Sequence, residues 1–232
     1  IKGTISGDGA FVVDAGTGSI TTRGEVSVPT IEIKSGKLIQ QANLSSLGSA
    51  GTTVYLGDTT GSADATIEYS GGAGERTTKT AIIVQAGSTG TKSLTGITSA
   101  IDNTDITLND NLTLAAKQHG NNDRLLTFGG VISGTGAIEK DNNSTLTLTG
   151  ANTYSGNTTI SAGTLRLGGS GVIADGAGKG NVSVAAGATF DLSGFSETIN
   201  GLSGAGTVDN NGDFAATLTV GSNAGGTFSG TL

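Results

Sequence analysis

Three short alternating runs within residues 144–167 constrain the fold more than any other feature of this sequence. Residues 145–149 read TLTLT, residues 158–161 read TTIS and residues 164–167 read TLRL. Apolar side chains occupy every second position of each run, which predicts half-buried β-strands. Strands this short cannot bury a core alone. The pattern therefore predicts that neighbouring copies of the same element stack on them.

Two further elements recur along the chain. A Ser-Gly-x-Gly sequence between apolar residues occurs at 6–9, 133–136 and 203–206, and its glycines predict a tight corner between strands. A second element places a small residue and a glycine between two strands. Its four glycines are separated by about one, two or three multiples of roughly 25 residues, a period typical of stacked solenoid units. These glycines are Gly36, Gly87, Gly163 and Gly187.

A repeat of three short strands and three corners forms one rung of a β-helix. The sequence therefore predicts an all-β fold, a parallel β-helix (β-solenoid) of roughly 9–10 rungs of about 25 residues. We expect residues 1–232 to form a single β-helix, either a subunit or a segment of a longer array. The most polar interruptions, residues 99–105 and 115–123, predict longer loops.

The composition limits the partners and cofactors. A net charge of −7 disfavours nucleic acid and anionic membrane surfaces, since both attract basic patches. The absence of cysteine excludes disulfides and thiolate metal sites. No run approaches the roughly 18 apolar residues of a membrane span. Because the chain begins with Ile1 rather than Met, we expect a mature or excised segment.

Candidate catalytic groups are few. Residues 103–105 read NTD, a cluster of the kind seen in galacturonan hydrolases, but the sequence lacks the Asp-Asp, Gly-His-Gly and Arg-x-Lys elements of those enzymes. Glycoside hydrolysis needs two carboxylates that face each other across a cleft. We therefore interpret Asp102, Asp105 and the single histidine, His119, as loop residues, and we predict no catalytic residue.

Candidate ligand and modification sites are equally weak in the sequence. Residues 209–213 read DNNGD, which offers oxygen ligands but lacks the closing glutamate of a calcium loop, so we predict a polar corner and neither a metal nor a cofactor. Chance explains most of the Asn-x-Ser/Thr triplets, the acceptor pattern for N-glycosylation, in a chain rich in these residues, so they give glycosylation only weak support. Five of these triplets begin at Asn43, Asn111, Asn143, Asn157 and Asn181.

Residues 146–165 read LTLTGANTYSGNTTISAGTL, and this stretch resembles the autotransporter-associated β-strand repeat of bacterial surface proteins. The similarity is strongest over residues 125–232 and diffuse over residues 1–124. The resemblance implies a right-handed parallel β-helix that is secreted and displayed outside the cell or on its surface. It implies an architecture and a secretion route and marks no active site.

The leading functional expectation is a non-enzymatic extracellular structural protein that forms a stalk or fibre. Both ends read as strand rather than as a polar cap, and uncapped strand edges pair with further strands. We therefore expect identical subunits to stack head to tail, or the chain to continue into adjacent repeats. Alternatives are an adhesin passenger that binds surface glycans or a host, with little aromatic support, and a polysaccharide-degrading enzyme. The predicted stacking residues are Ile1, Gly3, Ile5, Phe228, Gly230 and Leu232.

Overall fold

The computed structural model describes residues 1–41, 47, 51–70, 74–76, 80–96, 100–116, 125–176, 179–221 and 226–232. Within these ranges all regular elements are β-strands, and none of them contains a helix able to cross a membrane. The strands are β1 (Ile5–Ser6), β2 (Ala10–Thr22), β3 (Val26–Ser27), β4 (Thr30–Gln40), β5 (Thr53–Leu56), β6 (Ala65–Tyr69), β7 (Gly74–Arg76), β8 (Ala81–Val84), β9 (Lys92–Gly96), β10 (Ala100–Asp102), β11 (Asp105–Leu108), β12 (Leu112–Ala116), β13 (Leu125–Phe128), β14 (Ile132–Gly134), β15 (Ile138–Asp141), β16 (Thr145–Leu148), β17 (Thr158–Ile160), β18 (Thr164–Leu167), β19 (Asn181–Val184), β20 (Thr189–Asp191), β21 (Glu197–Ile199), β22 (Gly201–Gly204), β23 (Thr207–Asp209) and β24 (Leu218–Val220).

The strands stack into three faces of a solenoid, and each strand pairs in parallel with its equivalent one turn later. The first face contains the first halves of β2 and β4, followed by β5, β8, β11 and β14. The second face contains the second halves of β2 and β4, followed by β6, β9, β12, β15, β17, β19 and β22. The third face contains β7, β10, β13, β16, β18, β20 and β23. The predicted all-β parallel solenoid is thus confirmed.

The turns vary in length around a common cross-section. There are about eight turns of roughly 23 residues, slightly fewer and shorter than the predicted 9–10 of about 25. Ser19 pairs with Lys37, 18 residues later, whereas Lys37 pairs with Thr66, 29 residues later. The β2–β4 ladder shifts register between Val13 and Ser19, whereas the β4–β6 ladder is regular from Gly36 to Gln40. The differences in turn length therefore fall at irregular positions and corners, where chain can be inserted.

The core is a set of stacked apolar columns inside the solenoid. In the third face, one column runs through equivalent positions of five successive turns, and all five side chains are buried. The predicted alternation is confirmed in β18, where inward leucines alternate with outward Arg166. In β16 it holds only in part, because Thr147, which lies between the two leucines, is also buried. Full burial of each such side chain contributes about 1.5–3 kcal/mol. The column consists of Leu126, Leu146, Leu165, Phe190 and Val208.

The loop predicted over residues 99–105 is wrong in part. Ala100–Asp102 forms strand β10, which pairs with β7 on one side and β13 on the other. Pairing on both edges satisfies the backbone groups, and this tertiary contact overrides a polar sequence with weak strand propensity. In the second predicted loop, Ala115 and Ala116 belong to β12, and residues 117–123 lie outside the described ranges.

The predicted glycine corners are confirmed by their backbone angles. Gly134 and Gly204, the first glycines of two Ser-Gly-x-Gly copies, have φ angles of 100° and 104°. After Gly134, two successive N–H groups donate to the carbonyl oxygen of Leu108, and after Gly204 two donate to that of Val184. The shared geometry indicates that the two copies are one structural element. A Cβ atom at Gly134 would lie 2.2 Å from the carbonyl oxygen of Leu108, so this corner excludes larger residues by contact as well as by angle.

Substitution of Gly134 by alanine tests this close contact. Gly187 also has a positive φ, but a Cβ atom there would meet nothing within 4 Å. We expect Gly187→Ala to lower the free energy of unfolding by about 1 kcal/mol through the backbone angle alone. We expect Gly134→Ala to lower it by about 1–3 kcal/mol more, because the backbone of two turns must move apart. Urea unfolding of the two variants measures the difference, and equal losses would contradict the close-packing explanation.

Candidate functional surfaces

The carboxylate singled out in the sequence serves as a hydrogen-bond acceptor between turns. Asp105 lies at the start of β11, and its Oδ1 atom accepts the N–H of Val131 at 2.8 Å. The carboxylate therefore connects the strand to the segment one turn later. The side chain of Asp102 and the whole of His119 lie outside what the structure describes.

Residues 209–213, the candidate calcium loop, form a hydrogen-bonded corner. The Oδ1 atom of Asp209 accepts the N–H of Asn210 at 2.8 Å, and the Oδ1 atom of Asn210 accepts the N–H of Gly194 at 2.6 Å. Across the described ranges, there is no group of three or more His, Cys, Asp or Glu residues that could hold a metal ion. The oxygen atoms of this stretch thus bind backbone N–H groups at a corner.

Asn152 joins three successive turns from within the solenoid. Its side chain is buried, its Oδ1 atom accepts the N–H of Ile132 at 2.8 Å, and its Nδ2 atom donates to the carbonyl oxygen of Val172 at 2.8 Å. An amide that offers one acceptor and one donor satisfies a backbone group on each side. Asn152 therefore replaces a pair of ladder hydrogen bonds at a position without regular strand.

Glu197 has the equivalent role two turns later. Its buried carboxylate accepts the N–H of Val172 at 2.8 Å and that of Thr198 at 3.1 Å. Burial raises the pKa of the Glu197 carboxyl above its ordinary value; the backbone N–H groups oppose this shift, and the charge of Asp175 adds to it. The structural role of Glu197 was not predicted, because in the sequence a glutamate before an apolar strand looks like a surface residue.

Lys140 is a fully buried lysine whose ammonium group is held by backbone carbonyls. Its Nζ atom donates to the carbonyl oxygens of Asp141, Asn142 and Ala162 at 3.0, 2.7 and 2.8 Å. Burial lowers the pKa of Lys140 to about 8, and the nearby charge of Asp141 opposes this shift. The sequence signal was present, since Ile138 and Lys140 are two residues apart in β15 and share the inward face.

Lys92 forms an ion pair that also crosses between turns. Its nearly buried Nζ atom lies 2.7 Å from Oδ2 of Asp110 and donates to the carbonyl oxygen of Ser88 at 2.5 Å. Burial alone raises the pKa of Asp110, but the hydrogen bonds from Lys92 and from the N–H of Asn111, together with the Lys92 charge, lower it below its ordinary value. The carboxylate is therefore ionised at neutral pH and serves as the counter-ion of a buried cation.

The C-terminal end of the solenoid exposes core-like side chains. Leu218 and Val220 of β24, together with Leu232, line an open cavity of about 440 Å³. Leu232 is 85% exposed. Phe228 packs against the core, and Gly230 lies directly on the backbone of Gly206. The three predicted stacking residues of this end therefore lie together on the last turn.

The N-terminal end has a comparable layer. Strand β1 pairs with β3, and the carbonyl oxygen of Ile1 accepts the N–H of Arg23 at 3.0 Å. Ile5 packs partly against the core, Ile1 is 57% exposed, and Gly3 approaches the backbone of Gly24. The structure thus brings each predicted set of three residues to its own end of the solenoid.

Two phenylalanines form the most exposed aromatic pair among the described residues. Phe214 is 77% exposed and Phe195 is 37% exposed. They lie on adjacent turns of one corner, because the backbone of Phe214 lies close to Gly194. The tyrosines are less available, since Tyr69 and Tyr154 are buried. The sequence offered little aromatic support for sugar binding, and this exposed pair was not predicted from it.

A shallow polar groove of about 220 Å³ runs along the outside of the second face. Side-chain hydroxyls from three successive turns, those of Thr159, Ser183 and Ser203, contribute to its lining. Asn157 and Asn181 border the same groove, which we call the Asn157 groove. It carries no charged side chain in its lining.

Comparison with known proteins supports the resemblance seen in the sequence. Residues 138–167 match the family described as passenger-associated-transport-repeat. The adhesin BmaC autotransporter of Brucella suis biovar 1 (strain 1330) is 41% identical over 110 residues, which cover 46% of this chain and 3% of that protein. No solved structure matches. The predicted similarity to autotransporter passengers that carry repeats is therefore confirmed.

The buried ammonium of Lys140 predicts a distinct dependence of stability on pH. The folded pKa, about 8, lies below the ordinary value of 10.5, so between these values the unfolded chain binds more protons. Stability should therefore rise with pH in this window, by up to about 1.4 kcal/mol per pH unit. We expect urea unfolding to show this gain between about pH 8 and about pH 9.5 in the unsubstituted protein.

The matched variants are Lys140→Met and Lys34→Met. Lys140→Met should abolish the gain, although it also lowers stability at neutral pH by leaving three carbonyl oxygens without a donor. Lys34 is half exposed, so Lys34→Met should leave the gain intact. An identical pH profile in the Lys140→Met variant would show that another group causes the dependence.

Proposed function

We propose that this chain is a length of extracellular β-solenoid in the passenger of a bacterial adhesin, with a mechanical, non-enzymatic role as a spacer or stalk. The observation that supports this proposal best is the stack of parallel turns with one column of apolar side chains along it. Backbone hydrogen bonds run along the axis of such a stack, so a pulling force is shared by many bonds. The similarity to an autotransporter adhesin agrees with this role.

The use of the polar side chains supports a non-enzymatic role. In the described ranges, the buried polar groups Asn152, Glu197 and Lys140 bind backbone groups of neighbouring turns. Catalysis of sugar cleavage needs carboxylates that project into a cleft and face a substrate. Here the buried Glu197 carboxylate is occupied by N–H donors and serves as a structural acceptor.

The two ends support extension of the solenoid, as the sequence led us to expect. We propose that the exposed apolar surface of the last turn pairs with a further β-turn, supplied by a second copy of the chain or by adjacent repeats of a longer one. Burial of the cavity-lining leucines and valines favours such pairing, since exposed apolar area of this kind is a typical interaction surface. A head-to-tail contact between copies would be heterologous and would propagate into a fibre.

The alternative function is direct binding of a host or glycan surface by this segment. The specific observation in its favour is the exposed pair Phe195 and Phe214, because aromatic rings offer an apolar face to sugars and to partner proteins. The relative is named an adhesin, which is also compatible with this role.

Deletion of two turns separates the spacer role from a binding role. Ile138 is equivalent to Thr158 and then to Val182, so removal of residues 138–181 joins Ala137 to Val182 in register. For a spacer, we expect the shortened protein to be displayed and to support cell attachment as well as the full protein does. Antibody labelling of intact cells measures display, and an adhesion assay measures attachment.

The matched control deletion of residues 138–169 breaks the register and should abolish display. The single variant Phe214→Ala should leave both readouts unchanged if this segment is a spacer. A loss of attachment with normal display in the Phe214→Ala variant would favour the binding alternative. Absence of labelling on intact cells that produce the unsubstituted protein would contradict a surface location.

Charge at the C-terminal end tests the proposed stacking. We expect the purified chain to associate increasingly with concentration, in analytical ultracentrifugation and as filaments in electron micrographs. The double variant Val220→Glu and Leu232→Glu should remain monomeric, because both side chains are exposed on the last turn and charge there opposes apolar contact.

The control for stacking is the double variant Thr153→Glu and Ala186→Glu, which adds the same charge to exposed positions away from the last turn. This control should associate like the unsubstituted chain. If the unsubstituted chain is monomeric at all concentrations, copies of the chain do not stack. Adjacent repeats of a longer chain would then be the partner of the C-terminal end.

A further inference from the structure

We propose that Asn111 and Asn157 are attachment sites for N-linked sugars on the outside of the second face. Both begin Asn-x-Thr triplets, the general acceptor pattern for N-glycosylation. In the sequence these triplets look like chance occurrences. The register of the solenoid changes that interpretation, because it places several triplets at one position of successive turns. The inference concerns modification alone and does not depend on the proposed spacer role.

Three of the triplets occupy the same position in different turns. Leu112 is equivalent to Ile138, then to Thr158 and then to Val182. Each asparagine immediately precedes one of these strand positions, so Asn111, Asn157 and Asn181 stand at one corner of the second face. Asn111 and Asn157 are two turns apart, about 10 Å at the usual spacing of paired strands.

The strand geometry points the acceptor amide and the hydroxyl of a triplet the same way. Residues two apart in a strand share a face. Thr158 is buried, whereas Asn157 is exposed and Thr159 is half-buried, so both of the latter face outward. The same alternation holds for Asn111, Leu112 and Thr113. Both triplets therefore present the asparagine amide and the threonine hydroxyl on the outer face.

The hydrogen bonds of the two asparagines are compatible with a sugar. Among the described residues, no hydrogen-bond partner is found for the side-chain amide of Asn157. The Oδ1 atom of Asn111 accepts the N–H of Ala137 at 2.9 Å, and its Nδ2 atom is directed away from that bond. A sugar on Nδ2 keeps the carbonyl group of the amide, so this contact between turns survives modification.

Asn181 begins a triplet in the same column but differs in its surroundings. It is half-buried, and its Oδ1 atom accepts the Nδ2–H of Asn200 at 3.1 Å. It also lies only one turn from Asn157, about 4.8 Å away, where a sugar on Asn157 would cover it. We therefore expect Asn181 to remain unmodified, which makes it an internal control.

The Asn157 groove gives a sugar on Asn157 a place to lie. The groove begins at Asn157 and Thr159 and continues over Ser183 and Ser203. Hydroxyl groups of this kind donate and accept hydrogen bonds, as the hydroxyl groups of a sugar do. With no charge in the lining, the groove fits a neutral saccharide.

The reaction requires a transferase and a nucleotide-activated sugar as co-substrate. The Nδ2 atom of the asparagine forms a bond to the anomeric carbon of the sugar, and the bond from that carbon to the phosphate oxygen breaks. The nucleoside diphosphate leaves with the electron pair, and one amide proton passes to a base of the transferase. No oxidation or reduction takes place.

Peptide mass spectrometry of the protein isolated from the cells that produce it tests the proposal. Trypsin cleaves after Lys92, Lys117, Lys140, Arg166 and Lys179, so Asn111, Asn157 and Asn181 fall on three different peptides. We expect saccharide masses on the Asn111 and Asn157 peptides and none on the Asn181 peptide. The Asn157 peptide also contains the triplets at Asn142 and Asn143. Fragmentation that retains the sugar therefore has to locate it on Asn157, and a sugar located on Asn142 or Asn143 instead would contradict the assignment.

Two variants made in the same cells separate the triplet from the fold. Thr159→Ala removes the triplet while keeping Asn157, and Thr159→Ser keeps the triplet. The saccharide on Asn157 should be lost in the first variant and retained in the second, and both should unfold at the same temperature because Thr159 faces outward. Unmodified Asn111 and Asn157 peptides, or a saccharide on Asn157 that persists in Thr159→Ala, would overturn the proposal. A saccharide on only one peptide would restrict the assignment to that residue.

Discussion

Parallel hydrogen bonding between successive turns is the constraint on which the rest of this structure depends. Each strand pairs with its equivalent in the next turn, and the ladder can continue only if the backbone groups at the corners also find partners. Three side chains meet that need, two at the start of a strand and one outside the regular strands. Asp105, Asn152 and Glu197 each accept a backbone N–H from a neighbouring turn. Asp105, the carboxylate that the sequence singled out, is therefore part of the scaffold.

The same constraint explains the buried cations. The Lys140 ammonium binds three carbonyl oxygens at one corner, and the Lys92 ammonium binds a carbonyl oxygen and the Asp110 carboxylate. An unpaired buried charge is costly, but a charge that satisfies several otherwise unpaired carbonyl oxygens offsets part of that cost. Within the described ranges, both ammonium groups therefore bind backbone carbonyl oxygens at corners of the solenoid and have a structural role.

The sequence predicted the repeated features of the fold and missed the single ones. The strands around residues 145–167, the glycine corners and the parallel solenoid follow from patterns that recur many times. An atypical residue in one repeat therefore does not change the prediction that the other repeats support. Strand β10 was missed because its pairing with β7 and β13 determines its conformation. Glu197 was missed, and the stacking of the Asn-x-Thr triplets was not seen, for a related reason: both depend on which residues become neighbours one turn away.

Turn length and core register vary independently, and this independence determines where function can reside. The offset between paired residues changes from 18 after Ser19 to 29 after Lys37, while the inward columns stay aligned. Residues can therefore be added or exchanged at corners and outward positions at little cost to the core, whereas an inward change disturbs the turns on both sides. Binding or modification in such a solenoid belongs on the outer faces and corners, where Asn157, Phe195 and Phe214 lie.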